Sequence, residues 1–377
     1  MARMARHALL CLLRWFTLAR AGAAPLRVYL LFGQSNMEGH GITGDLQDAL
    51  NGTLAYAAQN PRPSDWPVCD VTKAASFQAG CDGAGADFAQ LVDGPDGKTW
   101  RTNEAVWVDS YGDGPGGAWG TVRRGALMPG FGFDGVGHVG PELGFGTEIG
   151  KDNGALLIKV SWGGTALAKD WRPPSSGGEV GWCYGNATAY ALNALKNLST
   201  VFPGYDADRG HVLAGWVWHH GWNDGCSDEQ AAEYEFNLAN LIKDVDAALR
   251  FEARGAPLRV VVAVQGTGGG WIGQSARRLE VIRAQYNVST YTEFAGRVAA
   301  VETRGFWRRF DETQGACDQG YHWNCNAASY FWIGTAAGQA MGSLEAETGV
   351  RMNARNPGGR SAPGPATVAA RPVDAAP

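Results

Sequence analysis

The sequence predicts an open α/β fold, a largely parallel sheet covered by helices, on three observations. Five short apolar runs recur along the chain, and four of them close on a glycine-rich or polar turn. Longer stretches with helical spacing of apolar residues lie between them. The 377 residues are 45% apolar and 18% charged, enough for the core of one large domain or two small ones.

The runs follow in order. Residues 26–32 end in Gly33 and read as a buried parallel strand. Residues 155–160 end in Ser161-Trp-Gly-Gly164, and 212–218 in His219-His-Gly-Trp-Asn-Asp224. Residues 258–264 end in Gln265-Gly-Thr-Gly268, and 298–301 supply a fifth strand. Residues 229–249 place Ala232, Phe236, Ala239 and Ile242 along one helical face, and 276–286 and 334–347 read similarly. Strands alternating with helices require right-handed crossovers. The region 41–141 is rich in glycine and poor in periodicity, so short hairpins are expected there, with 99–111 as the best candidate.

Composition excludes several classes. The net charge of −5 does not suit a basic nucleic-acid binder, and the apolar content does not suit a disordered chain. The 54 glycines are about twice an ordinary share of roughly 7%, without the period of collagen. No run reaches the roughly 20 apolar residues of a membrane span. Residues 1–23 combine a basic start, a short apolar run and Ala21-Gly-Ala23, the parts of a secretory signal; a mitochondrial or plastid leader is the alternative. Removing Cys11 with such a leader leaves Cys69, Cys81, Cys183, Cys226, Cys317 and Cys325 without a C-x-x-C pair, which favours disulfides over zinc. Pairs 69–81 and 317–325 are local enough to form. Sequons begin at Asn51, Asn186, Asn197 and Asn287. Residues 351–377, rich in Pro, Ala and Gly, read as a disordered tail, which leaves 24–350 as the domain.

In open α/β sheets ligands bind outside the carboxyl ends of the strands. Three strand ends here carry Ser35, Gly163-Gly164 and Asn223, so they should converge on one crevice. A serine where a strand meets a helix can sit among unpaired N–H groups that favour an alkoxide. The segment is not the G-x-S-x-G elbow of α/β-hydrolases. His322, just before the last helix, is suited to take the hydroxyl proton and return it to a leaving alcohol. The N–H groups of Ser35 and Gly164 and the Asn223 amide are candidate oxyanion donors. The consecutive His219 and His220 point to opposite faces of a strand, and no metal or cofactor is expected. Glu142 suits a helix-capping or loop-bracing role.

Gly33-Gln-Ser-Asn-Met37, Trp162-Gly-Gly-Thr165, Gly221-Trp-Asn-Asp224 and Gly320-Tyr-His-Trp-Asn324 resemble, in that order, the blocks of the SGNH hydrolase superfamily. The similarity is to its sialate O-acetylesterase-like, carbohydrate esterase family six group. Gly140-Pro-Glu-Leu-Gly-Phe-Gly146 and Asp170-Trp-Arg-Pro-Pro174 also resemble segments of that group, so the likeness runs over residues 28–341. The resemblance implies a three-layer α/β/α flavodoxin-like sandwich and a serine esterase acting on sugar O-acetyl esters through an acyl-enzyme. Ser35 would be the nucleophile and His322 the base, with Ser35, Gly163 or Gly164, and Asn223 forming the oxyanion hole. The group's last block is D-x-x-H, whereas Gln319 stands three residues before His322 and Asp318 four before. Asp318 is the candidate acid, with Asp224 or no acid as alternatives. Gln34, Trp162, Trp222 and Arg172 are candidate substrate contacts; Trp171 and Trp323 also neighbour the motifs, where a core role is commoner. Two rivals to the esterase are a non-catalytic glycan-binding protein on the same fold and an esterase or lipase for aliphatic acyl chains.

Overall fold

The computed structural model describes residues 24–60, 88–93, 98–114, 118–135, 137–253, 256–268, 275–310 and 317–347. The expected leader, the 69–81 cysteine pair and the C-terminal tail lie outside them.

A seven-stranded sheet carries the molecule: β1 (Leu26–Gly33), β2 (Asn103–Gly114), β3 (Ala118–Leu127), β4 (Ala155–Ser161), β5 (His211–His219), β6 (Arg259–Ala263) and β7 (Val298–Val301). Their spatial order is β7-β6-β5-β1-β4-β2-β3. All neighbours run parallel except β2 and β3, which form an antiparallel hairpin. The five strands read from the sequence (β4, β1, β5, β6 and β7) lie adjacent in the flavodoxin-like order, with the switch point beside β1. The hairpin comes from the 41–141 insertion and joins the sheet beside β4. It is longer than the expected 99–111 and displaced towards the C-terminus, because its turn lies near Gly114 rather than in the preceding polar stretch.

Alternate residues of β1 feed two cores, as a two-sided strand must. Val28, Leu30 and Phe32 pack on one face with Ala187 and Ala191 of α3 (Trp182–Lys196), Leu238 and Ile242 of α4 (Asp228–Leu249), and Val281 and Val288 of α5 (Ala276–Ser289). Tyr29 and Leu31 pack on the other face with Leu143 and Ile149 of α2 (Pro141–Asn153) and Ile333 and Met341 of α6 (Ala327–Glu347). The result is a three-layer α/β/α sandwich. Helices α2 and α6 approach closely because a Cβ on Gly144 would collide with Phe331 O, and one on Gly334 with Pro141 O. Helix α4 starts where Ser227 Oγ accepts the Gln230 N–H, with Asp228 and Glu229 in its first turn. Its buried face is Ala231, Tyr234, Leu238, Leu241, Ile242, Val245 and Leu249, whereas Phe236 is 57% exposed. The stripe read from the sequence was therefore rotated, because it followed Phe236 rather than the Tyr234 that reaches Trp218.

Cys317 and Cys325 are joined by a disulfide, as their spacing allows, whereas Cys183 and Cys226 are free thiols. Among the described residues no helix is long and apolar enough to cross a membrane.

Candidate active site

Ser35 opens the short helix α1 (Ser35–Glu38) directly after β1 and is almost fully buried. The residue before it reaches across the switch point. Gln34 Oε1 accepts the Gly221 and Trp222 N–H groups at 2.9 and 3.1 Å, and Gln34 Nε2 donates to Asn223 Oδ1 at 3.1 Å. Two backbone donors fix which end of the Gln34 amide is oxygen, so they also fix the orientation of Asn223. Its Nδ2 has no acceptor among the described residues.

A second polar tie joins this turn to the one after β4. Asp224 is fully buried, and its carboxylate accepts the Leu167 and Ala168 N–H groups at 2.8 and 2.9 Å. Burial pushes its pKa up to about 7. Gly164 stands in the left-handed region at φ +69, with open space where a Cβ would project. The Gly163 N–H is already engaged, donating to Asp113 Oδ2 at 3.2 Å.

His322 sits on an irregular turn, Gly320–Cys325, in which Trp323, Asn324 and Cys325 have φ of 56, 51 and 55. Such left-handed backbone is unfavourable for residues other than glycine, and several contacts hold it. The disulfide closes the turn from one side, and Asn324 Nδ2 donates to Arg308 O at 2.9 Å. Asn36 Nδ2 donates to Tyr321 O at 3.0 Å, while the Tyr330 hydroxyl contacts both Asn36 Oδ1 and His322 O. His322 Nδ1 lies 3.0 Å from Gln319 Oε1. An amide oxygen requires Nδ1 to carry the hydrogen, which leaves Nε2 with its lone pair. One face of the ring stacks on His40 at 3.7 Å, and His40 stacks in turn on Phe133 at 4.7 Å. Burial, then the nearby His138, lowers the His322 pKa to about 4, so the imidazole is neutral at physiological pH.

These turns meet in a cavity of about 360 Å³ lined by Ser35, Glu38, His40, Phe133, Gly163, Gly164, Trp222, Asn223, Tyr321 and His322. Ser35 and His322 face it together without a direct hydrogen bond, a spacing common before a ligand draws such groups in. The other residues singled out from the sequence lie elsewhere. Gln34 is buried behind the Asn223 turn, Trp162 is a core residue 1% exposed, and Trp171 and Trp323 are likewise in the core. Arg172 is spent on Ala168 O, Ser176 O, Gly177 O and Glu233. Asp318 is exposed, and Gln319 takes the place on Nδ1 that an acid would hold. Glu142 accepts the Gly140 N–H and pairs with the buried Lys159, whose ammonium also binds Glu38 O. That chain braces α1 from below. His219 and His220 diverge, the first towards Ala263 O and the second onto Trp218.

Sequence reasoning missed Glu38, His40, Asp113, Phe133, Tyr321 and Gln319. Glu38, His40 and Tyr321 adjoin motifs, and proximity alone could have flagged them. Asp113 and Phe133 come from the insertion, where nothing in the sequence ties them to a strand end.

The family described as carbohydrate esterase, sialic acid-specific acetylesterase, matches residues 125–314, half of the chain. The match takes in Gly163, Gly164 and Asn223 and leaves Ser35 and His322 outside it. No curated protein matches. Among solved structures, a protein from Arabidopsis thaliana is 15% identical over 85% of this chain and 98% of its own, at a TM-score of 0.47. A carbohydrate acetylesterase from Xanthomonas citri is 14% identical over 69% of this chain, at 0.34, and this chain spans 46% of that protein's length. NanS is 13% identical over 74% of this chain and 78% of its own, at 0.40. By its family match, this chain belongs to the carbohydrate esterase family of sialic acid-specific acetylesterases.

Proposed function

We propose that the protein removes O-acetyl groups from a carbohydrate by serine catalysis, with Ser35 as nucleophile and His322 as general base. The observation that carries this reading is the single cavity into which β1, β4, β5 and the turn before α6 deliver Ser35, Gly164, Asn223 and His322. Ser35 Oγ attacks the acetyl carbonyl as His322 Nε2 takes its proton. The oxyanion meets the N–H groups of Ser35 and Gly164 and the Nδ2 of Asn223, the end that Gln34 leaves unengaged. Imidazolium then protonates the sugar oxygen, the C–O bond breaks, and acetyl-Ser35 remains. Water, deprotonated by His322, attacks the acetyl carbonyl; the bond to Ser35 Oγ breaks as the imidazolium returns its proton to that oxygen, and acetate leaves. The Gln319 amide oxygen, rather than Asp318, orients the imidazole. Trp222 and Tyr321, half-buried and exposed at the rim, offer aromatic faces to a sugar.

Acetate released from a panel of acetylated glycans tests this. Ser35→Ala and His322→Ala are each expected to lower kcat by at least about 10³-fold. Turnover that survives Ser35→Ala would remove the mechanism. The absence of turnover in the wild type would favour glycan binding without catalysis, and higher rates on long acyl esters would favour a lipase-like substrate. The Cys317–Cys325 disulfide supports an oxidising, secretory compartment as the place of action.

A further inference from the structure

Glu38, buried, and Asp113, half-buried, form a carboxyl pair that the mechanism above does not use. Glu38 leaves α1 three residues after the nucleophile and is 4% exposed, and Asp113 comes from β2 in the insertion. The two carboxyls lie close enough to act directly on each other. They converge on Gly163, where a Cβ would stand 3.1 Å from Glu38 Oε2 and 3.7 Å from Asp113 Oδ2. Asp113 Oδ2 holds the Gly163 N–H. Among the described residues, neither Glu38 oxygen, nor Asp113 Oδ1, has an N–H or hydroxyl donor.

Among the described residues, the nearby cations act on Glu38 only through space and give neither carboxyl an N–H. Lys159 has three N–H bonds, and Glu142 Oε2, Glu38 O and Phe131 O take them at 2.6, 2.7 and 2.7 Å. The Arg123 guanidinium from β3 donates to Gly132 O and Phe133 O. His40 Nε2 is 4.0 Å from Glu38 Oε2, and burial followed by the neighbouring histidines keeps that imidazole uncharged. Tyr330, from α6, faces Glu38 with a hydroxyl spent on Asn36 and His322 O. Two adjacent carboxyls, one buried and one half-buried, with a single N–H donor between them retain a proton.

We propose that Glu38 is held as a neutral acid donating its proton to Asp113, and that this pair is the positioning device of the oxyanion turn. The proton on Glu38 lets Asp113 stay ionised, Asp113 grips the Gly163 N–H, and the grip sets the direction of the next N–H, that of Gly164, towards the cavity. The inference rests on the esterase reading of the same cavity. Burial, then the Asp113 charge, raises the Glu38 pKa to about 8, so ionisation above that pH would place two repelling charges behind the turn.

The experiment measures kcat and KM against pH for an acetyl ester, in the wild type, Glu38→Ala, Glu38→Gln and Asp113→Ala. Beside it, the infrared carboxyl stretch of the protein at pH 7 is recorded with and without Glu38→Gln. Glu38→Ala and Asp113→Ala are expected to lower kcat by roughly 10- to 100-fold with little change in KM, as misplacement of a catalytic group does. Glu38→Gln should recover most of the Glu38→Ala loss, because an amide can donate as the acid does, and should remove the decline in rate above pH 8. The wild-type spectrum should contain a protonated-acid band that Glu38→Gln deletes. A Glu38→Gln enzyme as impaired as Glu38→Ala, or one with an unchanged alkaline limb, overturns the proposal. If Glu38→Ala does not fold, the comparison of Glu38→Gln with the wild type still decides it. A wild type without turnover refutes the esterase reading, and the infrared band then decides the carboxyl pair by itself.

Discussion

The two walls of the cavity are built in different ways. The wall bearing Ser35, Gly164 and Asn223 is made from the carboxyl ends of three adjacent parallel strands. Its polar atoms close on one another: Gln34 on the Gly221–Asn223 turn, Asp224 on Leu167 and Ala168, Asp113 on Gly163. The left-handed backbone there belongs to Gly164 and Gly221, where it costs little. The wall bearing His322 is not built on a strand of the seven-stranded sheet. It holds three successive non-glycine residues in the left-handed region, each at about 1–2 kcal/mol by that geometry. A disulfide, side chains from α1 and α6, and the Arg308 carbonyl keep it in place. A wall of strand ends is set by the sheet itself, whereas the opposite wall exists only where remote contacts outweigh local preference.

Substitutions can break that contrast. The largest effect below the loss of Ser35 or His322 is expected at Asn223, where alanine should reduce kcat by about 10²–10³-fold, the usual loss of one oxyanion donor. Gln34→Ala should follow at roughly 10- to 100-fold. It should also lower stability by about 1–3 kcal/mol, because the Gly221 and Trp222 N–H groups lose their acceptor. Steady-state kinetics beside urea unfolding separate the two, since Asn223→Ala should leave the unfolding midpoint nearly unchanged.

Gln319 and Asp318 sharpen the contrast on the other wall. With His322 lowered to about 4, the neutral imidazole persists at all higher pH, so the acid limb of the rate should appear only as pH drops through that value. Gln319→Glu puts a carboxylate against Nδ1, favours imidazolium, and should move this acid limb to higher pH. Gln319→Ala should lower kcat about tenfold by freeing the ring. Asp318→Ala should stay within about twofold of the wild type. A loss at Asp318 larger than that at Gln319 would return the acid's role to Asp318.

The smallest effect on rate is expected from Cys317→Ser. Opening so short a loop should cost about 2–3 kcal/mol of stability, read from chemical unfolding. Because the lost link lies on the His322 turn alone, proteolysis of the native protein should accelerate in 317–325 and not at the strand-end turns. Uniform acceleration would show that the walls are not independently held.

Much of the fold was legible in the sequence because a strand buried on both faces leaves an apolar run closed by glycine. All five runs entered the sheet, and Ser35, Gly163, Gly164, Asn223 and His322 line one cavity. Elsewhere periodicity misled. Phe236 drew the stripe of α4 off its buried face, and the insertion contributed a hairpin longer than 99–111. Trp162 and Arg172 adjoin the motifs in sequence, yet one turns into the core and the other braces a loop. Neighbourhood along the chain does not state which way a side chain points.

The sequence by itself determined the parallel α/β order and the residue types at three strand ends, because backbone pairing and apolar patterning are local and periodic. Only the tertiary structure decided that Gln34 serves Asn223 rather than substrate, that Gln319 occupies the acid's place beside His322, and that Asp113 meets Glu38. Each of these depends on a hydrogen bond between atoms whose separation is set by how strands and turns stack. A buried polar group takes whichever partner that packing brings within reach.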